Sequence, residues 1–578
     1  MTVPPDASIS LDRASGPATV MTRDEAIAHV TSTNPLFAVE ETTIRDIPHR
    51  VFVNAPGNLR QLLREAVSAY SDHELLVYES ERWDYAGFAS EVNRMAHALT
   101  KDLGIQPGDR VALAMRNFPE MPILVMAIVS VGAVVVPLNA WWSEEELVFA
   151  LRDSEVRVVF ADGPRHEALH TFTAEHALPL IGVRDAVGQI TYRELLCGST
   201  DSHWPEVPIA ADDDFAVMYS SGSSGRPKGV VLTHRGAIST IHSWRMGKEL
   251  LSLMDPETAA AVSESPSALI VTPLFHVTAL HAMFLQGVSL GAKLVLMYKW
   301  NPEGAVDIIQ REAIQRFVGV PTQSAELMAA ASSRGATLES LESIGAGGAK
   351  RPAAQVEQIA KQFPGASVAT GWGMTETNSL GILLAGPDYL ENPDAAGRLT
   401  PPLQEMRIVD EAGQEVPQGE VGELTIKSPS NMREYLNLPE ETRATLVNGW
   451  LHTGDLARVD ADGLIYIVDR KKSIIIRGGE NISCLEVEGA LHQHPAIAEA
   501  CVFPLPDERL GEAVGAAVYL REGADIDRDG IRAFLGQRLA PFKLPEYVWL
   551  WDKPLPRGGT DKLDRKALQR RYQNRHQA

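Results

Sequence analysis

Short apolar runs alternate with helix-like patterns from about residue 55 to about residue 400, and this alternation limits the fold more than any other feature of the chain. The runs include RVALAM (110–115), VRVVFA (156–161), ALIVTPL (268–274), AKLVLM (292–297) and RFVGVP (316–321). Between such runs lie stretches such as GNLRQLLREAVSAYSD and EEELVFALRDS, whose apolar residues recur at helical spacing. A strand that is apolar on both faces must be covered on both faces. The pattern therefore predicts βαβ units, an α/β fold of parallel sheets with covering helices.

The longest apolar run, Met121 to Asn139, approaches the length of a membrane span. Gly132 splits it, Val134-Val135-Val136 has strand character and Pro137 ends it, so a buried helix followed by a buried strand is expected instead. With 578 residues the chain is too long for one ordinary core. Past Pro401-Pro402 the texture changes to short strands with Gly turns, and the Asp-Gly at 462–463 is a hairpin signal. The expected organisation is an N-terminal extension (1–55), a large domain (56–470) with a β subdomain at about 400–468, and a small α+β C-terminal domain (471–578).

A net charge of −22 disfavours nucleic acid and anionic membranes as partners. Three widely spaced cysteines, Cys197, Cys484 and Cys501, make neither a zinc motif nor a disulfide framework and fit a reducing cytoplasm. The N-terminal MTVPPDASISLDRASG lacks a basic start before an apolar core, so no secretory signal is expected.

The stretch YSSGSSGRPKGV, Tyr219 to Val230, suits an anion. Gly222, Gly225 and Gly229 let the backbone approach a ligand and turn N–H groups inward. Ser220, Ser221, Ser223 and Ser224 add hydroxyl donors, and Arg226 and Lys228 add charge. The spacing differs from the Walker P-loop. A Ser/Gly linker has similar composition, but apolar FAVMY before the loop and VVLTH after it anchor both ends.

This loop closely resembles the signature loop of the adenylate-forming enzymes, the superfamily of acyl-CoA synthetases, amino-acid adenylation domains and beetle luciferases. PLFH (273–276), GWGMTET (371–377), GEVGEL (419–424), GWLHTGDL (449–456), DRKKSIIIRGGENIS (469–483) and PLPRGGTDKLDR (554–565) follow in the family's order. The resemblance covers nearly the whole chain from about residue 55. It implies two half-reactions. A carboxylate attacks the α-phosphate of ATP to give an acyl-adenylate and pyrophosphate, and a nucleophile, often the thiol of coenzyme A, then displaces AMP. Such chemistry depends on positioning and on neutralising charge on phosphate oxygens.

By this resemblance the Tyr219–Val230 loop cradles the β- and γ-phosphates, with Lys228 as a point charge. Glu376 is the Mg²⁺ ligand and Thr375 contacts the α-phosphate, although from this motif alone Glu376 reads better as a surface residue after a Gly-rich turn. Gly345, Gly347, Gly348 and Ala349, in GAGGAK, line adenine and acyl group; so do Gly371, Trp372, Gly373 and Met374, with Trp372 where the family usually has Tyr. Asp455 accepts from the ribose hydroxyls and Arg470 is the second ribose and phosphate contact. Lys562 matches the lysine that bridges carboxylate and α-phosphate. The family usually reads Pro-Lys-Thr and then Gly-Lys there; this chain has Pro556-Arg557-Gly558 and then Asp561-Lys562, and Asp561 competes for the ammonium.

Lys472 falls at the family's hinge, about which the C-terminal domain rotates between half-reactions, and Gly478 and Gly479 line the pantetheine passage. His276 sits beside the acyl carboxylate and the thiol, or is structural. The acyl pocket comprises His276, Val277, Thr278, Val320, Gly345 and Gly371, mostly apolar or small. No Asp near PLFH stands ready for an amino group, and no carrier domain is expected. The expected activity is therefore ATP-dependent ligation of an apolar carboxylic acid to coenzyme A. The expected partners are the small-molecule acid, coenzyme A and a second copy of the chain. An amide-forming or light-emitting user of the same adenylate, and a non-catalytic ATP- or acyl-binding homologue, are the alternatives.

Overall fold

The computed structural model describes residues 20–186, 190–220, 227–260, 262–471, 473–477, 480–507, 509–558 and 562–573. The apolar runs form the inner strands of two large sheets. Across the first sheet, of eight described strands, the order is Glu434–Tyr435, Lys228–Thr233, Asp214–Ser220, Val134–Pro137, Arg110–Ala114, Val158–Asp162, Leu180–Val183 and Ile190–Thr191. Across the second, of nine, it is Arg398–Leu399, Ile382–Ala385, Ser367–Trp372, Ser343–Gly347, Arg316–Gly319, Ser267–Ile270, Lys293–Leu296, Glu74–Tyr78 and Glu81–Asp84. The interior pairings are parallel and antiparallel strands sit toward the edges, as fully apolar strands covered by helices require.

Residue parity along the strands assigns the layers. Val111 and Leu113 of the first sheet share one core with Ile270, Leu294 and Leu296 of the second. That core is filled by the helices Leu59–Tyr70, Tyr85–Lys101, Glu120–Ser130 and the start of His234–Met254. The alternate residues Ala112 and Ala114 face outward onto Leu147, Leu151 and Leu169 of two further helices. On the far side of the second sheet, Leu269, Phe317, Ile344 and Val368 pack on helices Pro302–Glu312, Pro321–Ser333 and Ala353–Gln362. The result is five layers with a shared helical middle.

Glu120–Ser130 is apolar all round because it lies in that middle layer. Gly132 turns the chain at φ +74° and Val134–Pro137 then enters the first sheet, as the sequence predicts. Among the described residues no helix is long and apolar enough to cross a membrane. Helix starts are fixed locally: Asn58 accepts from Gln61 N, and Ser143 and Glu146 form a reciprocal capping box.

Residues from 20 to 55 are built onto this body. Helix Arg23–Thr33 and the hairpin Val39–Ile44/Ile47–Phe52 enclose Ala26, Val30, Phe37 and Phe52 against Met246, Leu250 and Leu403. The helix buries just two side chains, Ala26 and Val30, which is too little to give a readable apolar period.

Strands Glu405–Val409, Gly422–Lys427, Leu446–Val447, Trp450–Val459 and Ile465–Arg470 form a separate antiparallel sheet. Its last two strands meet at the expected Asp462-Gly463 turn, where Gly463 has φ +76°. Beyond it, Ile474–Arg477, Glu480–Ser483, Ile497–Asp507, Gly511–Leu520 and Tyr547–Trp551 make a C-terminal sheet. One face carries the helices Cys484–His492 and Arg528–Gly536. The other stacks Trp549 on Tyr572 of helix Arg565–Tyr572 at 3.9 Å between ring centroids.

The parallel strands Arg316–Gly319, Ser343–Gly347 and Ser367–Trp372 run in register, with Gly319 beside Ala346 and Gly347 beside Gly371. Their C-terminal ends therefore meet along one edge, where open α/β sheets place their ligands. Phe317, on the flanking strand, packs beside Ile344 and Val368 with no exposed surface. Phe317→Ala is expected to cost about 3–5 kcal/mol, read as a lower urea midpoint at unchanged m-value; a shift under 1 kcal/mol would mean the strand ends are not held by this core.

Candidate active site

The floor of the cleft is made of residues without side chains. Gly347 and Gly371 are paired at adjacent strand ends, and Gly345 lies two residues back along the same strand as Gly347. A Cβ on Gly347 would lie 3.8 Å from the Gly371 carbonyl oxygen and 3.9 Å from Thr278 Cγ2, so these residues share one small space. Val277 and Val320 are buried close to the same strand ends, Val277 opening a short helical turn after His276 and Val320 preceding helix Pro321–Ser333. Gly373 is needed for a different reason: a Cβ there would stand 2.3 Å from the Ser379 carbonyl oxygen, so the turn carrying Thr375 and Glu376 folds back tightly on it. Met374 opens that turn, its N–H reaching Thr377 Oγ1 at 3.3 Å.

Glu376 is buried, and its Oε1 accepts from Ser220 Oγ at 3.2 Å and from Tyr435 OH at 2.9 Å. Ser220 ends one strand and Lys228 opens the next, paired directly opposite it in an antiparallel ladder. Lys228 lies 5.0 Å from the Tyr435 ring centroid and is ion-paired with Glu441. Burial, with Glu376 beside it, pushes the Tyr435 phenol well up, so it stays a donor. A carboxylate turned in this way fits a hard cation such as Mg²⁺, which takes few protein carboxylates alongside phosphate oxygens and water. Tyr435 and Glu441 were not apparent from sequence, because nothing in the segment around them has a pattern of its own.

Asp455 and Arg470 are paired across neighbouring strands of the β subdomain. The Asp455 carboxylate is buried and meets Arg470 Nε at 3.0 Å through one oxygen and Trp372 Nε1 at 2.8 Å through the other. Burial pushes its titration up, against the opposing pull of Arg470 and the Trp372 hydrogen bond. Trp372 therefore does what sequence did not suggest: its indole N–H orients the Asp455 carboxylate.

Lys562 reaches this cleft from the C-terminal domain. A Cβ on Gly348, which has φ +77°, would lie 2.8 Å from Lys562 Cε and 3.2 Å from Nζ, so the lysine side chain lies across bare backbone. Next to it, Ala349 is exposed at the cleft rim. Lys562 is open to the water in the cleft. The mass of protein around that cleft, and then Arg470, nevertheless bring its ammonium down to about 8, with Asp455 opposing. His276 is held near 3 by burial and then by Lys562, and is a neutral imidazole at any working pH. Its Nε2 has no partner among the described residues.

The structure thus brings Ser220, Lys228, Glu376, Trp372, Asp455, Arg470, His276 and Lys562 around one glycine-floored cleft. Ser221, Gly222, Ser223, Ser224, Gly225, Lys472, Gly478, Gly479 and Asp561 lie outside the described residues.

The chain matches the family described as AMP-binding enzyme over residues 63–436 and the AMP-binding enzyme C-terminal domain over 486–562. A feruloyl-CoA synthase of Amycolatopsis is 33% identical over 84% of this chain and 94% of the relative. A long-chain-fatty-acid–CoA ligase of Mycobacterium tuberculosis is 33% identical over 85% and 93%. Among solved structures, the o-succinylbenzoate CoA synthetase of Bacillus subtilis in complex with its acyl-adenylate intermediate superposes with a TM-score of 0.75. It is 29% identical, covering 88% of this chain and 97% of that one. With the motifs and the cleft in agreement, the chain belongs to the AMP-binding enzyme family, in its acyl-CoA synthetase branch.

Proposed function

We propose that the protein ligates an apolar carboxylic acid to coenzyme A, using this cleft first to form the acyl-adenylate and then to exchange AMP for the thiol. ATP-dependent acid–CoA ligation follows from the family and its relatives. The observation that carries it is the delivery of a cation, Lys562, across Gly348 to the place where Asp455 and Arg470 converge.

A carboxylate is a poor electrophile because oxide is a poor leaving group. When its oxygen attacks the α-phosphorus of ATP, pyrophosphate leaves and the acyl carbon acquires AMP as its leaving group. Negative charge grows on the phosphoryl oxygens during this step, so cations fixed in the cleft accelerate it. Lys562 supplies one, Arg470 another, and Lys228 a third once it exchanges Glu441 for a phosphate oxygen. Glu376, held by Ser220 and Tyr435, would hold Mg²⁺, which neutralises the phosphates. Asp455, fixed by Trp372, offers its remaining lone pairs to ribose hydroxyls. In the second step the sulfur of coenzyme A attacks the acyl carbon, the C–S bond forms and AMP departs. Neutral His276 can orient the carboxylate or the thiol without adding charge. Buried Val277 and Val320 with side-chain-free Gly345 and Gly371 favour an apolar acyl group, in keeping with relatives named for feruloyl and long-chain fatty acyl substrates.

Pyrophosphate release from the purified protein with Mg-ATP is expected to depend on a fatty or aryl acid and to be accompanied by thioester when coenzyme A is added. Release with malonate or oxalate alone would remove the apolar assignment. Because the Lys562 ammonium is lost as pH rises through about 8, kcat/KM of the adenylation half-reaction should fall above that pH. Lys562→Arg, with a cation that does not titrate, should flatten that alkaline limb at a lower plateau; an unchanged limb would assign it to another group. Gly348→Ala places a methyl where Lys562 lies and should depress adenylation about tenfold or more while ATP affinity changes little. Equal loss of both would show that Gly348 serves nucleotide binding instead.

A further inference from the structure

The loop that carries Lys562 is held by more than its own backbone. On either side of it, Gly558 N donates to Lys562 O at 2.8 Å, Asp564 N donates to Pro556 O at 2.8 Å, and Arg557 bridges to Leu563. The position of Lys562 therefore follows that of Arg557. One carboxylate, Glu499 on strand Ile497–Asp507, secures the base of the loop twice. Its Oε2 accepts from Leu555 N at 2.8 Å and its Oε1 from Arg557 Nη2 at 2.5 Å. The same guanidinium reaches out of the C-terminal domain: Arg557 Nη1 donates to Thr322 Oγ1 at 3.2 Å. Thr322 lies in the first turn of helix Pro321–Ser333, two residues beyond Val320 at the strand end beside the glycine floor. Arg557 and Glu499 side chains are only 18% and 14% exposed, so this bridge is poorly screened by solvent.

Electrostatics alone gives Lys562 no fixed seat, since Arg470 repels its ammonium while Asp455 draws it. A group entering the cleft from a second domain needs a contact that fixes the approach of that domain. A planar guanidinium with donors on two sides can hold a carboxylate with one edge and a hydroxyl with the other, which a lysine ammonium cannot do with the same rigidity.

We propose that Arg557 is a positioning residue for acid activation, a latch that joins Glu499 at the root of the lysine loop to Thr322 of the large domain and so seats Lys562 in the cleft. The latch serves the adenylation step, where charge develops on phosphate, and is not needed when a thiol displaces AMP from an adenylate already formed. The proposal rests on the acid–CoA ligase reading.

The test separates the two half-reactions in the full chain: acid-dependent exchange of labelled pyrophosphate into ATP, and thioester formation from a supplied acyl-adenylate with coenzyme A. Thr322→Val removes the acceptor hydroxyl at nearly constant volume, and Arg557→Met removes the donor. Each is expected to lower kcat of exchange about tenfold, the scale of one hydrogen bond to a charged group, with KM for ATP and acid little changed and thioester formation from the supplied adenylate within about twofold. Arg557→Lys should recover part of the loss, and the double variant should be no slower than the worse single one. Parallel loss of both half-reactions in Thr322→Val, or wild-type exchange in that variant, would overturn the latch. A wild-type chain that exchanges no pyrophosphate with any acid would overturn the ligase reading itself, and the latch with it.

Discussion

The buried carboxylate of Asp455 ties the active cleft together. Burying an acid costs free energy unless donors surround it. Here the donors come from separate parts of the chain: Trp372 from the end of a strand in the second large sheet, and Arg470 from the neighbouring strand in the β subdomain. The requirement to satisfy one charge thus joins two sheets that also meet through an apolar core of Ile382, Ile408, Leu424 and Ile465. It also sets the field that Lys562 enters, because Asp455 and Arg470 act on its ammonium with opposite sign. The proposed ribose contact and the electrostatics of the lysine both depend on this one satisfied group.

A similar economy operates at the phosphate end. Glu376 is oriented by hydroxyls from Ser220 and Tyr435, and the Tyr435 ring faces the Lys228 ammonium. The prospective cation ligand and the prospective phosphate ligand therefore share one aromatic neighbour. Lys228 is satisfied internally by Glu441, so a phosphate must compete for it, which favours a polyanion over a singly charged one.

The layered architecture was legible because apolar strands buried on both faces leave a dense signal, as at Val111–Leu113 and Leu294–Leu296, and because Gly132 and Pro137 punctuate the longest apolar run. The cleft was legible wherever chemistry forces a residue type into a motif, as for Asp455 and Glu376. What escaped was of two kinds. Helix Arg23–Thr33 buries two side chains and owes its place to a partner surface more than two hundred residues away, which no local period records. Trp372, Tyr435 and Arg557 matter through contacts across domains or sheets, and a tryptophan that orients an aspartate looks the same in sequence as one that packs on a base.

The docking of the N-terminal segment bears on how this protein can be shortened. The family match begins at residue 63, inside helix Leu59–Tyr70. A chain cut there would lose the Asn58 cap and with it a partner for the exposed amide ends of that helix. It would also bare Met246, Leu250 and Leu403, leaving an apolar patch on a surface that residues 23–52 now cover. The shortest version that keeps this surface covered is therefore set by helix Arg23–Thr33, and it begins some forty residues before the recognisable family does.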